Sequence, residues 1–246
     1  MSRKKYDLNF IVNKVLPVLN KTNSELAIDE FSRPYVSYIK RIENLNLVGM
    51  KLGLDAGCGL GNWTFPLAEK NNEIIGIDFD SEKVNGANII SSYINCENAR
   101  FIIGDLTEIP FEDNTFDFIF CYSVLMYTDS DKVIKEFKRL LVSGGKLYIM
   151  TDLWRWLLFP PNKNLLDLIL YWLKMILMRV RGTKYKYFTK SSFERLITKN
   201  GFSIISSGQD GETSFDTLKS NSPRVSFYKM KKENFEDLWE VCAIKI

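Results

Sequence analysis

Between residues 51 and 151 short apolar runs alternate with stretches of helical periodicity, and this alternation constrains the fold more than any other feature of the chain. Lys51 to Asp55 (KLGLD), Glu73 to Asp78 (EIIGID), Arg100 to Gly104 (RFIIG), Phe116 to Cys121 (FDFIFC) and Gly145 to Thr151 (GKLYIMT) read as strands. Asn62 to Lys70, Ser81 to Tyr93 with Ser81 as its cap, and Asp129 to Leu140 read as the helices between them. Strands that are apolar on both faces and joined through helices form a parallel sheet covered on both sides. The rhythm stops after Thr151 and resumes at Thr189, where TKSSFERLITKNGF reads as a capped helix. Phe202 to Ser206 and Trp239 to Ile246 add two strands.

Ahead of the sheet, residues 1–23 are polar and basic with short apolar patches, and are expected to form a loosely docked lead-in. From Ser24, taken as an N-cap, Leu26, Phe31, Tyr35, Val36, Ile39 and Ile42 recur near helical spacing, with Pro34 dividing two short helices.

The residues that are missing exclude whole classes of chemistry. The 246-residue chain has no histidine, which removes His-based triads, His metal sites and imidazole bases. Four cysteines, Cys58, Cys96, Cys121 and Cys242, lack CxxC spacing, so neither a disulfide scaffold nor a cysteine metal site is expected. A net charge of +3 does not point to nucleic acid. MSRKKYDLNF lacks the long apolar run of a secretory leader, and a cytoplasmic protein is expected.

The first strand runs into Leu54-Asp55-Ala56-Gly57-Cys58-Gly59-Leu60-Gly61. Glycines at alternate positions let a backbone approach a ligand that side chains would exclude, although a tight strand-to-helix connection uses the same residues. Two acids favour the ligand. Asp78 closes the second strand, where a carboxylate can accept both hydroxyls of a ribose. Asp105 closes the third, where it can accept from an adenine amine while the Leu106 N–H donates to a ring nitrogen. In a doubly wound sheet all three strand ends share the carboxyl edge beside the switch point.

With LDAGCGLG (54–61), GID (76–78), GDLTEIPFEDNTFDFI (104–119) and LLVSGGKLYIM (140–150), the sequence resembles class I S-adenosylmethionine-dependent methyltransferases. The resemblance covers most of residues 45–151 and 189–246. It implies an α/β fold: a doubly wound, Rossmann-like, mostly parallel seven-stranded sheet with one antiparallel strand near the C-terminus and a helical insertion after the fifth strand. The core would comprise 24–151 and 189–246, and the insertion 152–188. The implied cofactor is S-adenosylmethionine, held by Asp55, Gly57, Cys58, Gly59, Gly61, Asp78, Phe79, Asp105, Leu106 and Cys121. The GxGxG spacing differs from the GxGxxG of dinucleotide folds, which disfavours a nicotinamide enzyme.

A methyl group on a sulfonium is already activated, so in-line positioning carries most of the catalysis and a histidine-free enzyme is reasonable. Candidate bases are Asp152, Tyr122 and Tyr127, with Tyr185 and Tyr187 behind them; no metal is expected. The expected reaction methylates a small molecule, with a hydroxyl or carboxylate oxygen favoured over nitrogen. A lipid-linked or glycan acceptor and a non-catalytic cofactor-binding module stay open as alternatives.

Residues 153–193 hold eight basic residues against one acid, Asp167, with Trp154, Trp156, Phe159, Tyr171 and Trp172 among them. The segment can be read as a core-covering helix, a lid over the acceptor or an interfacial helix. Its composition favours an acceptor with an apolar part and an anionic group, and at most weak peripheral membrane contact.

Overall fold

The computed structural model describes residues 10–153, 188–216 and 238–246, together with Leu166, Ile169, Leu170, Leu173 and Lys186. Seven strands form one sheet: β1 (Leu52–Ala56), β2 (Glu73–Asp78), β3 (Ala99–Ile103), β4 (Phe116–Tyr122), β5 (Leu141–Asp152), β6 (Phe202–Gln209) and β7 (Leu238–Lys245). Their order is β3-β2-β1-β4-β5-β7-β6, with β7 antiparallel to both neighbours and the other pairs parallel. The expected α/β architecture, with its single antiparallel strand, is what the chain adopts. Strand order reverses between β1 and β4, and the carboxyl ends there open the crevice in which such sheets bind ligands.

Helices α1 (Lys21–Phe31), α2 (Tyr35–Leu45), α3 (Thr64–Lys70) and α4 (Ser81–Ile94) belong to one face; α5 (Ser130–Leu140) and α6 (Lys190–Lys199) cover the other. On the first face Tyr38, Ile42, Phe65 and Ile90 bury against Phe118, Phe120 and Tyr148. On the second, Val133, Phe137, Phe193 and Ile197 bury against Ile119, Leu147 and Val241. Burying each such side chain contributes about 1.5–3 kcal/mol, so apolar patterning holds both layers on the sheet.

Helix starts fall at other residues than the sequence suggests. Asn20, not Ser24, caps α1, accepting from the Asn23 N–H at 3.0 Å. Asp80, not Ser81, caps α4, its Oδ1 accepting from the N–H of Glu82 at 3.0 Å. Nor is the lead-in loose from residue 10 onward. Ile11–Val15 and Leu16–Val18 are short helical turns, Ile11 and Val15 are fully buried, and Phe10 stacks on Tyr93. Gly86 on α4 makes room: a Cβ there would lie 2.5 Å from Leu60 and 3.4 Å from Val15. The insertion expected at 152–188 lies largely outside the described residues.

Candidate active site at the carboxyl edge

The glycine turn leaves β1 and is tied at once to β2, where the Ile77 carbonyl accepts from the N–H groups of Gly57 at 2.8 Å and Cys58 at 3.0 Å. Asp78 completes the tie. Its Oδ2 accepts from the Gly59 N–H at 2.9 Å and its Oδ1 from the Asp80 N–H at 3.0 Å. The Asp78 carbonyl accepts from Gly104 N–H at 3.0 Å, which binds the end of β3 to the same point. Three strand ends are thereby fixed around one residue, Asp78.

The three turn glycines, all at positive φ, do different work. A Cβ on Gly57 would overlap Val124 at 2.3 Å, and one on Gly61 would meet Phe65 at 2.7 Å and Phe101 at 2.9 Å. Gly59 has no heavy atom within 4 Å of that position. Gly57 and Gly61 therefore admit the protein's own side chains, and Gly59 is the glycine that borders open space.

Asp55 is 2% exposed and accepts from the Thr64 hydroxyl at 2.6 Å, stapling β1 to the start of α3. Burial pushes its carboxyl up to about 7; the Thr64 hydrogen bond pulls the other way and the Asp78 charge adds to the rise. Asp105 turns back on its own backbone, its Oδ1 accepting from the N–H and hydroxyl of Thr107 at 2.8 and 2.9 Å. Leu106 is buried, whereas Phe79 is 80% exposed beside Asp78 and offers an apolar surface at the mouth.

Two sequence candidates turn inward. Cys121 is fully enclosed in the core facing α5 and α6, and Cys58 directs its sulfur at Gly76 on β2. Burial pushes both thiols well above their ordinary range. Both side chains therefore turn away from the cleft, and each residue has only its backbone to offer there. The alternating glycines do not show which way the Cys58 side chain turns, because side-chain direction in a turn is set by tertiary packing.

Of the base candidates, Tyr122 and Asp152 end adjacent strands β4 and β5, and Asp152 is buried. Tyr127 is exposed on the helical turn Leu125–Tyr127. Tyr185 and Tyr187 lie outside the described residues. Between β4 and that turn Ser123 takes φ +58°, a costly conformation for a residue with a Cβ, and Val124 then reaches Gly57. Sequence reading missed Asp210 and Trp63. The Asp210 carboxylate accepts from the Tyr122 hydroxyl at 3.1 Å, and the Trp63 and Tyr122 rings lie 4.9 Å apart. Nothing local marks either residue; GQDGE reads only as a turn.

A groove beside Asp105, lined by Ile103, Pro110, Phe111, Glu112 and Arg139, is structural in origin. Its one cation, Arg139, is engaged by Glu136, Asp113 and the carbonyls of Ile109 and Phe111.

Residues 49–235 match the model of a methyltransferase domain family. The chain belongs to that family. The chain is 30% identical over 114 residues to a demethylmenaquinone methyltransferase of Bacillus cereus, covering 44% of this chain and 48% of that one. It is 35% identical over 101 residues to the Staphylococcus aureus protein of the same name, covering 39% and 41%. It thus spans about half the length of the curated relatives it matches. An S-adenosylmethionine-dependent methyltransferase from Clostridium acetobutylicum superposes with TM-score 0.62 at 16% identity, covering 92% of this chain and 99% of that one. Geranyl diphosphate C-methyltransferase from Streptomyces coelicolor superposes with TM-score 0.62 at 15% identity, covering 94% and 85%. The structural likenesses establish a shared fold.

The residues present fit the family's cofactor, S-adenosylmethionine. Its sulfonium and ammonium outnumber its one carboxylate, so a cleft edged by Asp55, Asp78 and Asp105 suits its net positive charge. Gly59 leaves open space beside Asp78, room that such a ligand needs.

Proposed function

We propose that this methyltransferase moves a methyl group from S-adenosylmethionine to a small molecule with an apolar body, at a position activated by an ionisable hydroxyl. When bound, the cofactor supplies a methyl group on a positively charged sulfur. The chain's own part is to hold the partners in line. Asp78 takes the ribose hydroxyls on lone pairs left over from Gly59 and Asp80. Asp105 and Leu106 take the adenine, with Phe79 against its face, and Asp55 with the Gly57–Gly59 backbone takes the methionine end.

The observation that carries this reading is the convergence of Asp78 with open space at Gly59 on three tied strand ends. An oxygen nucleophile is favoured because the sequence carries no Asn/Asp-Pro-Pro-Tyr/Phe run, the motif of amino-group methylation on nucleobases. A neighbouring carbon is open as well, since removing a proton from a phenol or enol makes both its oxygen and a neighbouring carbon nucleophilic. Calorimetry tests the assignment: the chain should bind S-adenosylhomocysteine and not NAD. Binding of NAD in its place would overturn it.

One observation favours an acceptor met at a lipid surface. Leu166, Ile169, Leu170 and Leu173 fall at i, i+3, i+4 and i+7 of helical backbone and are 73%, 43%, 64% and 52% exposed. An aliphatic stripe turned to solvent within a basic stretch of sequence suits an apolar acceptor or the membrane that dissolves it.

A further inference from the structure

Helix α1 lies across the two turns that form the proposed cofactor site. Its first end is pinned to the turn after β2. Asn20 donates to Glu82 Oε2 through its backbone N–H at 2.9 Å and through its side chain at 2.8 Å, and the Asn23 side chain donates to Asp80 Oδ2 at 2.9 Å. Asp80 and Glu82 lie just after Asp78, at the start of α4. The second end is pinned to the glycine turn through α2. The Tyr38 hydroxyl donates to the Glu30 carbonyl at 3.0 Å and takes a hydrogen bond from the side chain of Asn62, next to Gly61. The Tyr38 ring also meets Trp63 edge-on, with centroids 4.8 Å apart. The 11 residues of α1 span about 16 Å, so the helix bridges the two turns rather than touching one.

The periodicity of α1 decides what it turns inward. Asn23, Ala27 and Phe31 are buried at i, i+4 and i+8, and Glu30, at i+7, shares that face. The face that meets Asp80 through Asn23 therefore carries a carboxylate about two turns further along. Glu30 is half-buried. The charged and titratable groups facing it among the described residues are Asp29 and Arg33 from its own segment, Tyr38 on α2, Asp78 at the end of β2 and Lys83 on α4. Enclosure by protein lifts the Glu30 carboxyl to about 7; Lys83 and Arg33 pull it down, while Asp29 and Asp78 add to the rise. Glu30 and Asp78, from two different elements, are thus close enough to repel at one edge of the cleft. A cation held there turns repulsion into attraction, and the family's cofactor is a cation. S-adenosylmethionine carries one net positive charge, whereas its product has lost the sulfonium and carries none.

Resting on the methyltransferase reading above, we infer that Glu30 is a further cofactor-binding residue, whose carboxylate α1 brings to the cleft beside Asp78 to meet the positive charge that S-adenosylmethionine carries and S-adenosylhomocysteine has lost. The helix that lies over the two cofactor turns then also distinguishes donor from product. Charge holds the donor; once the methyl group has left and the sulfur is neutral, the product is held less tightly and departs. Glu30 takes no part in moving the methyl group.

Calorimetry on the full chain and on Glu30→Gln, with S-adenosylmethionine and S-adenosylhomocysteine in turn and no acceptor present, tests this. If the unaltered protein binds neither, the methyltransferase reading itself fails. If it binds both, Glu30→Gln should weaken S-adenosylmethionine about tenfold at about pH 8 and leave S-adenosylhomocysteine within about twofold. The deficit should shrink at about pH 6, below the Glu30 pKa of about 7, because the unaltered side chain is then itself neutral. Asp55 titrates over the same range in both proteins, so the reading is the difference between them. Equal weakening of the two ligands, no weakening, or a deficit that does not change with pH overturns the proposal and leaves the methyltransferase reading standing. Thermal melts accompany the titrations. Enclosure disfavours the charged carboxylate, so Glu30→Gln should melt no lower than the unaltered protein at about pH 8. A variant that unfolds instead makes Glu30 a strut of the fold, and the proposal is equally overturned.

Discussion

Asp78 spends one lone pair of each oxygen on backbone N–H groups, so its carboxylate shapes the turn that it would also help to load. Asp78→Ala should therefore cost more than ribose contacts alone. Charge-assisted hydrogen bonds contribute about 1.5–3 kcal/mol each, and an affinity loss for S-adenosylhomocysteine of about tenfold to a few hundredfold is expected by calorimetry. Unchanged affinity would remove Asp78 from the site. Asp55 gives a pH signature. Its folded pKa of about 7 lies above the ordinary carboxylate value near 4, so the protonated form favours the fold. That stabilisation is complete below about pH 4 and is lost as the pH rises through about 7. Thermal melts should show the unaltered protein losing stability relative to Asp55→Asn over this interval; parallel curves would mean that Asp55 is not buried as described. The positions of Asp55, Asp78 and Asp105 at the carboxyl edge were legible in the sequence because each closes an apolar run, a local signal. Asp210 and Trp63 were not, because their roles come from strands and helices distant in the chain meeting at Tyr122. The same distance explains Cys121, whose place at a strand end says nothing of which face its sulfur takes.

Element boundaries show the same division between local and distant causes. Every strand core was readable from its apolar run, yet β5 begins at Leu141 and β6 continues to Gln209, beyond the stretches Gly145–Thr151 and Phe202–Ser206. The extra length comes from partners: Leu141 pairs with Phe116, and Ser207 to Gln209 pair with β7 past a register shift. The helix α2 is held to β7 by an ion pair that no local pattern announces. Arg41 and Glu240 are 1% and 0% exposed and 2.7 Å apart, and Thr213 and Tyr148 also donate hydrogen bonds to the Glu240 carboxylate. Removing one member of a buried pair strands the other charge and costs about 3–5 kcal/mol, whereas replacing both by apolar groups removes that penalty. Arg41→Leu should lower stability in urea by about that amount, and Arg41→Leu with Glu240→Leu should recover part of the loss. A single variant within about 1 kcal/mol of the unaltered protein would show that the pair does not hold α2 in place.

At the scale of the whole molecule, the proposed cofactor contacts come from the carboxyl ends of β1, β2 and β3, the turns that follow them and α1, while the aliphatic stripe belongs to the segment between β5 and α6. Replacing residues 155–182 with a short polar loop should then leave S-adenosylhomocysteine affinity within about tenfold, a margin of about 1.4 kcal/mol, while acceptor turnover falls. The stripe also bears on the membrane. A lid would bury its apolar side, yet Leu166 and Leu170 stand 73% and 64% exposed. Among the described residues no helix is long and apolar enough to cross a bilayer. The sequence of residues 153–193 holds eight basic residues, and a basic residue at an anionic leaflet contributes about 1 kcal/mol, an attraction that salt screens within a Debye length. Four partly exposed aliphatic side chains add too little to anchor the protein on neutral lipid. Flotation should therefore find weak binding to vesicles containing anionic lipid, lost in high salt and reduced by Leu166→Glu with Leu170→Glu. Strong binding to neutral vesicles that survives salt would mean that the segment inserts, and the acceptor would then be drawn from within the bilayer.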